Sequence, residues 1–209
     1  MTCLKTCCAL LFAATLLPAL ADDMVNMPDM PAHHHPVDNA PAVLPGDSVF
    51  QVPAPLTDQG GQPFNPAHAA PPATLFTVFY GDCQYACPII VENLKQTVAA
   101  LSTTERSRLR VVMISLNPGI DTPEKLAQLA QKNALAPGLF SLVVAKDDAD
   151  TRLWAAALGV KYRRATNGDI NHSTRLVITN RAGVPVADNS TLAPRPDPDF
   201  MQALHTALQ

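Results

Sequence analysis

The sequence is short of aromatic residues and has no surplus of positive charge. Phe, Trp and Tyr make up 5% of the 209 residues, with a single Trp, so a core has to be built from Val, Leu, Ile and Ala. Lys plus Arg total 15 against 18 Asp plus Glu, a net charge of -3, which gives a phosphate backbone little to bind and argues against a nucleic-acid partner. There is no internal repeat. The apolar run Ala9 to Leu20 falls short of the roughly 20 residues that span a bilayer. At 47% hydrophobic and 16% charged, the chain is apolar enough to exclude wholesale disorder, and its length suits one globular domain.

The first 21 residues have the form of an export leader. Lys5 precedes the apolar run, and Ala19-Leu20-Ala21 supplies the small-x-small pattern that a signal peptidase accepts. Cleavage after Ala21 removes Cys3, Cys7 and Cys8 and leaves Cys83 and Cys87; retention would make the same segment a membrane anchor. Residues 22-46 show no apolar period, and prolines at 28, 31, 36, 41 and 45 stop any helix, so this stretch is expected to be a flexible tail. It carries Met24, Met27, Met30, His33, His34 and His35. Thioethers suit Cu(I) and imidazoles suit Cu(II), Ni and Zn, which makes the tail either a copper lure or a solvated linker.

From residue 47 the pattern is globular. Val49 to Val52 alternates and Asp58-Gln59-Gly60-Gly61 is turn chemistry, which together predict a short hairpin. Buried strands are expected at Thr74–Tyr80, Arg108–Ser115, Leu139–Ala145 and Arg175–Thr179, with a further one at Val184–Ala187. Helices are expected from Pro88, with the stripe Ile90, Leu94, Val98 and Leu101, and from Asp121-Thr122-Pro123-Glu124 to Asn133, with Asp121 as the N-terminal cap. Asp148–Leu158 and Asp197–Leu208 complete the set. Strands alternating with helices imply an α/β sheet, mixed or parallel, covered on both faces.

Chemistry concentrates in Cys83-Gln84-Tyr85-Ala86-Cys87-Pro88. Two thiols four residues apart in a strand-to-helix turn face one another near the positive end of a helix, which favours thiolate. A structural disulfide, a redox pair and two ligands of a soft metal are all open. A disulfide closing so small a loop stabilises less than one closing a long loop, which weakens the first. Among possible third donors, His68 lies in a proline-rich connection and His205 on the exposed side of the last helix. His172 sits just before the fourth strand, where loops at one end of an open sheet build sites.

In order along the chain, Leu56-Thr57-Asp58-Gln59 with Gly61, Cys-x3-Cys-Pro at 83-88, Asp121-Thr122-Pro123-Glu124 and His172-Ser173 resemble the Sco/SenC copper chaperones, from about Phe50 to the C-terminus. The resemblance implies a thioredoxin-like fold with an added N-terminal β-hairpin over residues 47-209. It implies copper, as Cu(I) or Cu(II), held by Cys83, Cys87 and His172. It further implies delivery of copper, or of reducing equivalents, to the copper-receiving subunit of a respiratory oxidase or another exported cuproprotein. With the leader it places the protein in the periplasm, touching a membrane only through that partner or an uncleaved leader.

Two departures stand out. Asn171 replaces the Asp that often precedes the histidine, and Asp82 and Gln84-Tyr85-Ala86 depart from the common Thr-x-Cys-Pro-x-x-Cys-Pro. The alternative is an enzyme, a thiol-disulfide oxidoreductase acting on exported proteins. Against it, such enzymes favour Cys-x-x-Cys and a cis-proline before the facing strand, and no proline occurs between Pro137 and Pro185. A thiol peroxidase wants a Thr two or three residues before its cysteine, where this chain has Gly81 and Tyr80. Structural zinc normally takes four protein ligands, one more than the folded domain offers.

Overall fold

The computed structural model describes residues 43-166 and 168-209. The expectations placed on residues 1-42, namely the leader and the Met24, Met27, Met30, His33, His34 and His35 set, lie outside the described residues. Residues Ala42–Gln209 form one compact unit.

The centre is strand β3 (Ala73–Phe79), whose seven residues are all buried. Side chains alternate across a strand, so Leu75 and Phe79 face one layer while Phe76 and Val78 face the other. Strands β4 (Leu109–Ser115) and β5 (Phe140–Ala145) lie parallel beside it, and β8 (Leu176–Asn180) is antiparallel on its other flank. With β1 (Leu56–Asp58), β2 (Pro63–Phe64) and β9 (Pro185–Asn189), the sheet has seven strands in the order β2-β1-β5-β4-β3-β8-β9. Helices α1 (Ala86–Ala100), α3 (Pro123–Lys132) and α5 (Pro198–Ala207) cover one face, burying Leu94, Leu126 and Leu204 against Leu75, Met113 and Leu142. On the other face, α4 (Asp148–Ala157) brings Trp154 onto Phe76, Val112 and Val143, with the Trp154 indole donating to the Ala54 carbonyl at 2.9 Å. The short α2 (Thr103–Arg106) carries a capping box between Ser102 and Glu105.

Three expectations are corrected. Val49–Gln51 is a 3-10 turn rather than a strand, because the Ser48 hydroxyl accepts from Phe50 N-H and caps it. The hairpin lies further on, as β1 paired with β2 across residues 59-62. Its Gln59 side chain clamps the sheet, accepting from Leu142 N-H at 2.9 Å and donating to the Phe140 carbonyl at 3.2 Å. The cap of α3 is Thr122, which accepts from Lys125 N-H, with Pro123 opening the helix. Asp121 is fully buried instead. His205 is not free on an exposed face, since its Nδ1 meets Glu105 Oε1 at 2.6 Å.

A second sheet was not expected. Strands β6 (Tyr162–Arg164) and β7 (Ile170–His172) form an antiparallel ribbon of their own. At the borders of the main sheet, β2 has two residues beginning with Pro63. At the other border β9 opens on Pro185, and its register slips opposite Ile178 and Thr179.

Candidate metal centre

The parallel strands β3 and β4 end on the same side of the sheet, and connections leaving that side converge. The chain leaves β3 through Tyr80-Gly81-Asp82-Cys83, a turn closed by Cys83 N-H donating to the Tyr80 carbonyl at 3.2 Å. Helix α1 then starts without a side-chain cap at Tyr85. The Cys83 sulfur takes that place, and Cys87 N-H reaches it at 3.3 Å. Both thiols are free; Cys83 is half-buried and Cys87 is buried. The Cys87 thiol points back to the Tyr80 carbonyl at 3.7 Å.

This geometry divides the pair. Burial works against ionising Cys83, but the N-H of Cys87, the Cys87 thiol and the N-H groups of Tyr85 and Ala86 together outweigh it and lower its pKa. Cys87 is driven the other way, mainly by burial, with Cys83 and Asp121 adding negative charge nearby and a backbone interaction at Tyr80 only partly offsetting the rise. Of the two, Cys83 therefore ionises more readily and Cys87 less readily than an ordinary thiol.

Behind the turn lies a buried carboxylate. Asp121 Oδ2 accepts from Ser115 O-H at 2.6 Å and from Gly81 N-H at 2.8 Å. Its Oδ1 has no hydrogen bond and faces Lys125 Nζ at 3.4 Å, while Lys125 also bonds Asp82 at 2.9 Å. A Cβ on residue 81 would come to 2.5 Å from Asp121 Oδ1, so the turn approaches the carboxylate this closely only with glycine there.

His172 ends β7. Because β8 runs antiparallel to β3, the segment entering β8 lies beside the exit of β3, which brings His172 to the cysteine end. Its Nδ1 lies 3.1 Å from the Ser173 carbonyl, which can only accept, so Nδ1 carries the proton and Nε2 keeps its lone pair. Burial lowers the His172 pKa, partly offset by the Ser173 carbonyl, and favours the neutral ring. The ring meets Tyr80 edge-on, with centroids 6.1 Å apart. Among the described residues, no three His, Cys, Asp or Glu groups come together as a set able to hold a metal ion. The structure thus joins Cys83 to Cys87 and brings His172 to the same end, but not into one cluster with them.

A sequence model of the SCO1/SenC family matches residues 45-206. This chain belongs to the SCO1/SenC family. Solved structures agree on the fold. A SCO1/SenC family lipoprotein from Bacillus anthracis shares 19% identity over 74% of this chain and 92% of its own, with a TM-score of 0.66. Arabidopsis thaliana ScoI, solved with copper bound, shares 14% over 74% and 93%, with a TM-score of 0.60. BsSco, a member of the Sco family of cytochrome c oxidase assembly proteins in which a disulfide switch has been identified, shares 14% over 74% and 90%, with a TM-score of 0.60. No curated protein matches the chain.

Tyr80, Gly81, Asp121 and Lys125 form the surroundings of the cysteines in this SCO1/SenC chain, and none of the four emerges from the sequence as part of the site. Asp121 is hidden by its neighbour Thr122, which caps the helix in its place. Tyr80 reads as the last residue of a strand. Tyr85, between the cysteines, is 89% exposed, and Asn171 is exposed beside His172. His68 contributes its carbonyl to Arg110 near the start of β4, at the opposite end of the strands from the cysteines, and His205 is engaged by Glu105. Among the described residues, no helix is long and apolar enough to cross a membrane.

Proposed function

We propose that this protein carries copper on Cys83, Cys87 and His172 and passes it to the copper-receiving subunit of a respiratory oxidase or to another exported cuproprotein in the periplasm. The observation carrying this reading is the pair of free sulfurs at the start of α1, one of them held towards thiolate by helix N-H groups. Two soft sulfurs and a neutral imidazole suit Cu(I), and Cu(II) with a further ligand, so the donor chemistry fits. His172 completes the site by a shift of the β6–β7 ribbon that brings Nε2 to the sulfurs. A site of so few ligands stays open on one side, and transfer proceeds by ligand exchange with the acceptor. Joining Cys83 to Cys87 in a disulfide removes both sulfur donors, which couples loading to the thiol state of the compartment. Met24, Met27, Met30, His33, His34 and His35 raise the local copper concentration by tethering, in a mature chain that starts after residue 21.

Titration of the reduced protein with Cu(I) tests the reading. Stoichiometric uptake is expected. Cys83→Ser and Cys87→Ser should each abolish it, and His172→Ala should weaken it; uptake unaffected by removal of the imidazole refutes the ligand set. Deleting residues 22-46 should slow acquisition only when copper is limiting.

The asymmetry of the two thiols favours a second reading, reduction of a partner disulfide. Here the Cys83 thiolate attacks one sulfur of the partner, the other sulfur leaves and takes a proton, and Cys87 then displaces the partner to form the Cys83–Cys87 disulfide. Turnover of a disulfide substrate with an added thiol reductant and no copper promotes this role over carriage.

A further inference from the structure

The turn between β4 and α3 holds both halves of the proposed site. Within it, Asn117 accepts through its carbonyl from Asp121 N-H at 2.9 Å, and its own N-H donates to Ser115 Oγ at 3.0 Å. The Asp121 carboxylate braces the cysteine turn by accepting from Gly81 N-H at 2.8 Å. The Asn117 side chain holds the ribbon: its Oδ1 accepts from Arg164 Nη1 at 3.0 Å, and Arg164 Nη2 lies 3.4 Å from Asp148 Oδ1 at the start of α4. Ser115, Asn117 and Asp121 are all buried. In the ribbon, Arg164 stands opposite Ile170 and Tyr162 opposite His172. Paired residues and their next-but-one neighbours share a face, so the arginine and the histidine lie on the face of Ile170, which is 3% exposed and packs in the layer of Trp154.

We propose that Arg164 is a positioning residue for His172: it pins the β6–β7 ribbon to the same turn that braces the cysteines, so that the imidazole and the sulfurs are held to one frame. The pin sits at the end where the ribbon turns, and the histidine end moves about it when the imidazole joins the sulfurs. The side chains of Arg164 and Asp148 are 39% and 51% exposed, so their ion pair is screened and contributes little. The bond to the buried Asn117 carries the pin, because losing it strands an acceptor that water does not reach freely. Without the pin the ribbon ranges more widely, and bringing His172 to the sulfurs costs more conformational entropy.

This inference rests on the copper reading, and one arm of its test needs no metal. The Ala165 and Ser173 amides donate to the Asp169 and Lys161 carbonyls at the two ends of the ribbon. In the reduced, metal-free full chain, their hydrogen exchange should quicken about two- to tenfold in Arg164→Met, the span of one broken hydrogen bond, while amides of β3 and β4 stay unchanged. In competition with a chelator for Cu(I), the same variant should bind more weakly than the wild type by a similar factor. Arg164→Lys, with one cationic nitrogen where the guanidinium reaches two partners, should recover part of the loss. A residue that acts through the histidine has no effect once the histidine is gone, so Arg164→Met should leave the Cu(I) affinity of His172→Ala unchanged. Unchanged exchange in the ribbon overturns the pin. Equal affinity of Arg164→Met and the wild type, or the same loss with and without His172, overturns the positioning role. If the wild type takes up no Cu(I), the copper reading and the positioning role fall together, and the exchange result alone decides the pin.

Discussion

The buried carboxylate of Asp121 should be worth more to this fold than its ion pair implies. Asp121→Ala leaves the Gly81 N-H and the Ser115 hydroxyl without their acceptor, in surroundings where Asp121 and Ser115 are both wholly inaccessible. Each stranded donor costs about 1–3 kcal/mol, and a small void adds to that. Lys125 is not stranded, because its side chain is 32% exposed and keeps Asp82 at 2.9 Å. The expected loss is about 3–5 kcal/mol, a fall in Tm of about 6–20 °C for a domain of this size. If the carboxylate served only as a partner for Lys125, the loss would stay near the ~1 kcal/mol of a solvent-screened pair. Lys125→Met would then match Asp121→Ala. Urea and thermal unfolding of the two variants decide between these magnitudes. A loss below about 1 kcal/mol for Asp121→Ala, or equal losses for both, refutes the hydrogen-bond argument.

Three further outcomes are expected. Limiting iodoacetamide should label Cys83 before Cys87 in the reduced chain, since one thiol is lowered by helix N-H groups and the other raised by burial; mass mapping that finds equal labelling counts against that division. Glu105 is held down to about 2 from an ordinary 4.5, first by the Ser102 hydroxyl and then by His205. A carboxylate whose pKa is lowered by folding stabilises fully above its unfolded value and loses that contribution as pH falls towards the folded one. Glu105→Gln should therefore flatten the drop in urea midpoint between about pH 5 and about pH 2, and an unchanged slope contradicts it. Trp154→Phe strands the Ala54 carbonyl and thins the packing on Phe76, for a loss of about 2–3 kcal/mol by urea unfolding; a neutral result means that the indole N-H contributes nothing net.

The sequence was legible where burial was uniform. Strands β3, β4 and β5 are buried along nearly their whole length, so they appear as continuous apolar runs, and Thr122-Pro123 marks the start of α3 within one residue. The cysteine turn followed from a strong strand meeting a helix stripe. The β6–β7 ribbon did not show, because Tyr162, Arg163 and Arg164 are half-buried or exposed and leave no apolar alternation. Its only signal in the sequence is the Asn167-Gly168 dipeptide between the two strands. Asp121 was misread because acid, threonine and proline in succession offer two candidate caps, and only tertiary contacts with Gly81 and Ser115 decide which one turns inward. Val49 to Val52 alternates like a strand, yet Ser48 and the flanking Pro45 and Pro53 turn it into a single helical loop.

The brevity of β2 and the prolines that open β2 and β9 have an effect beyond the fold. A sheet border with few open donors and acceptors is a poor template for strand addition, so a passing extended peptide, or a second molecule caught half-folded, finds little to zip onto.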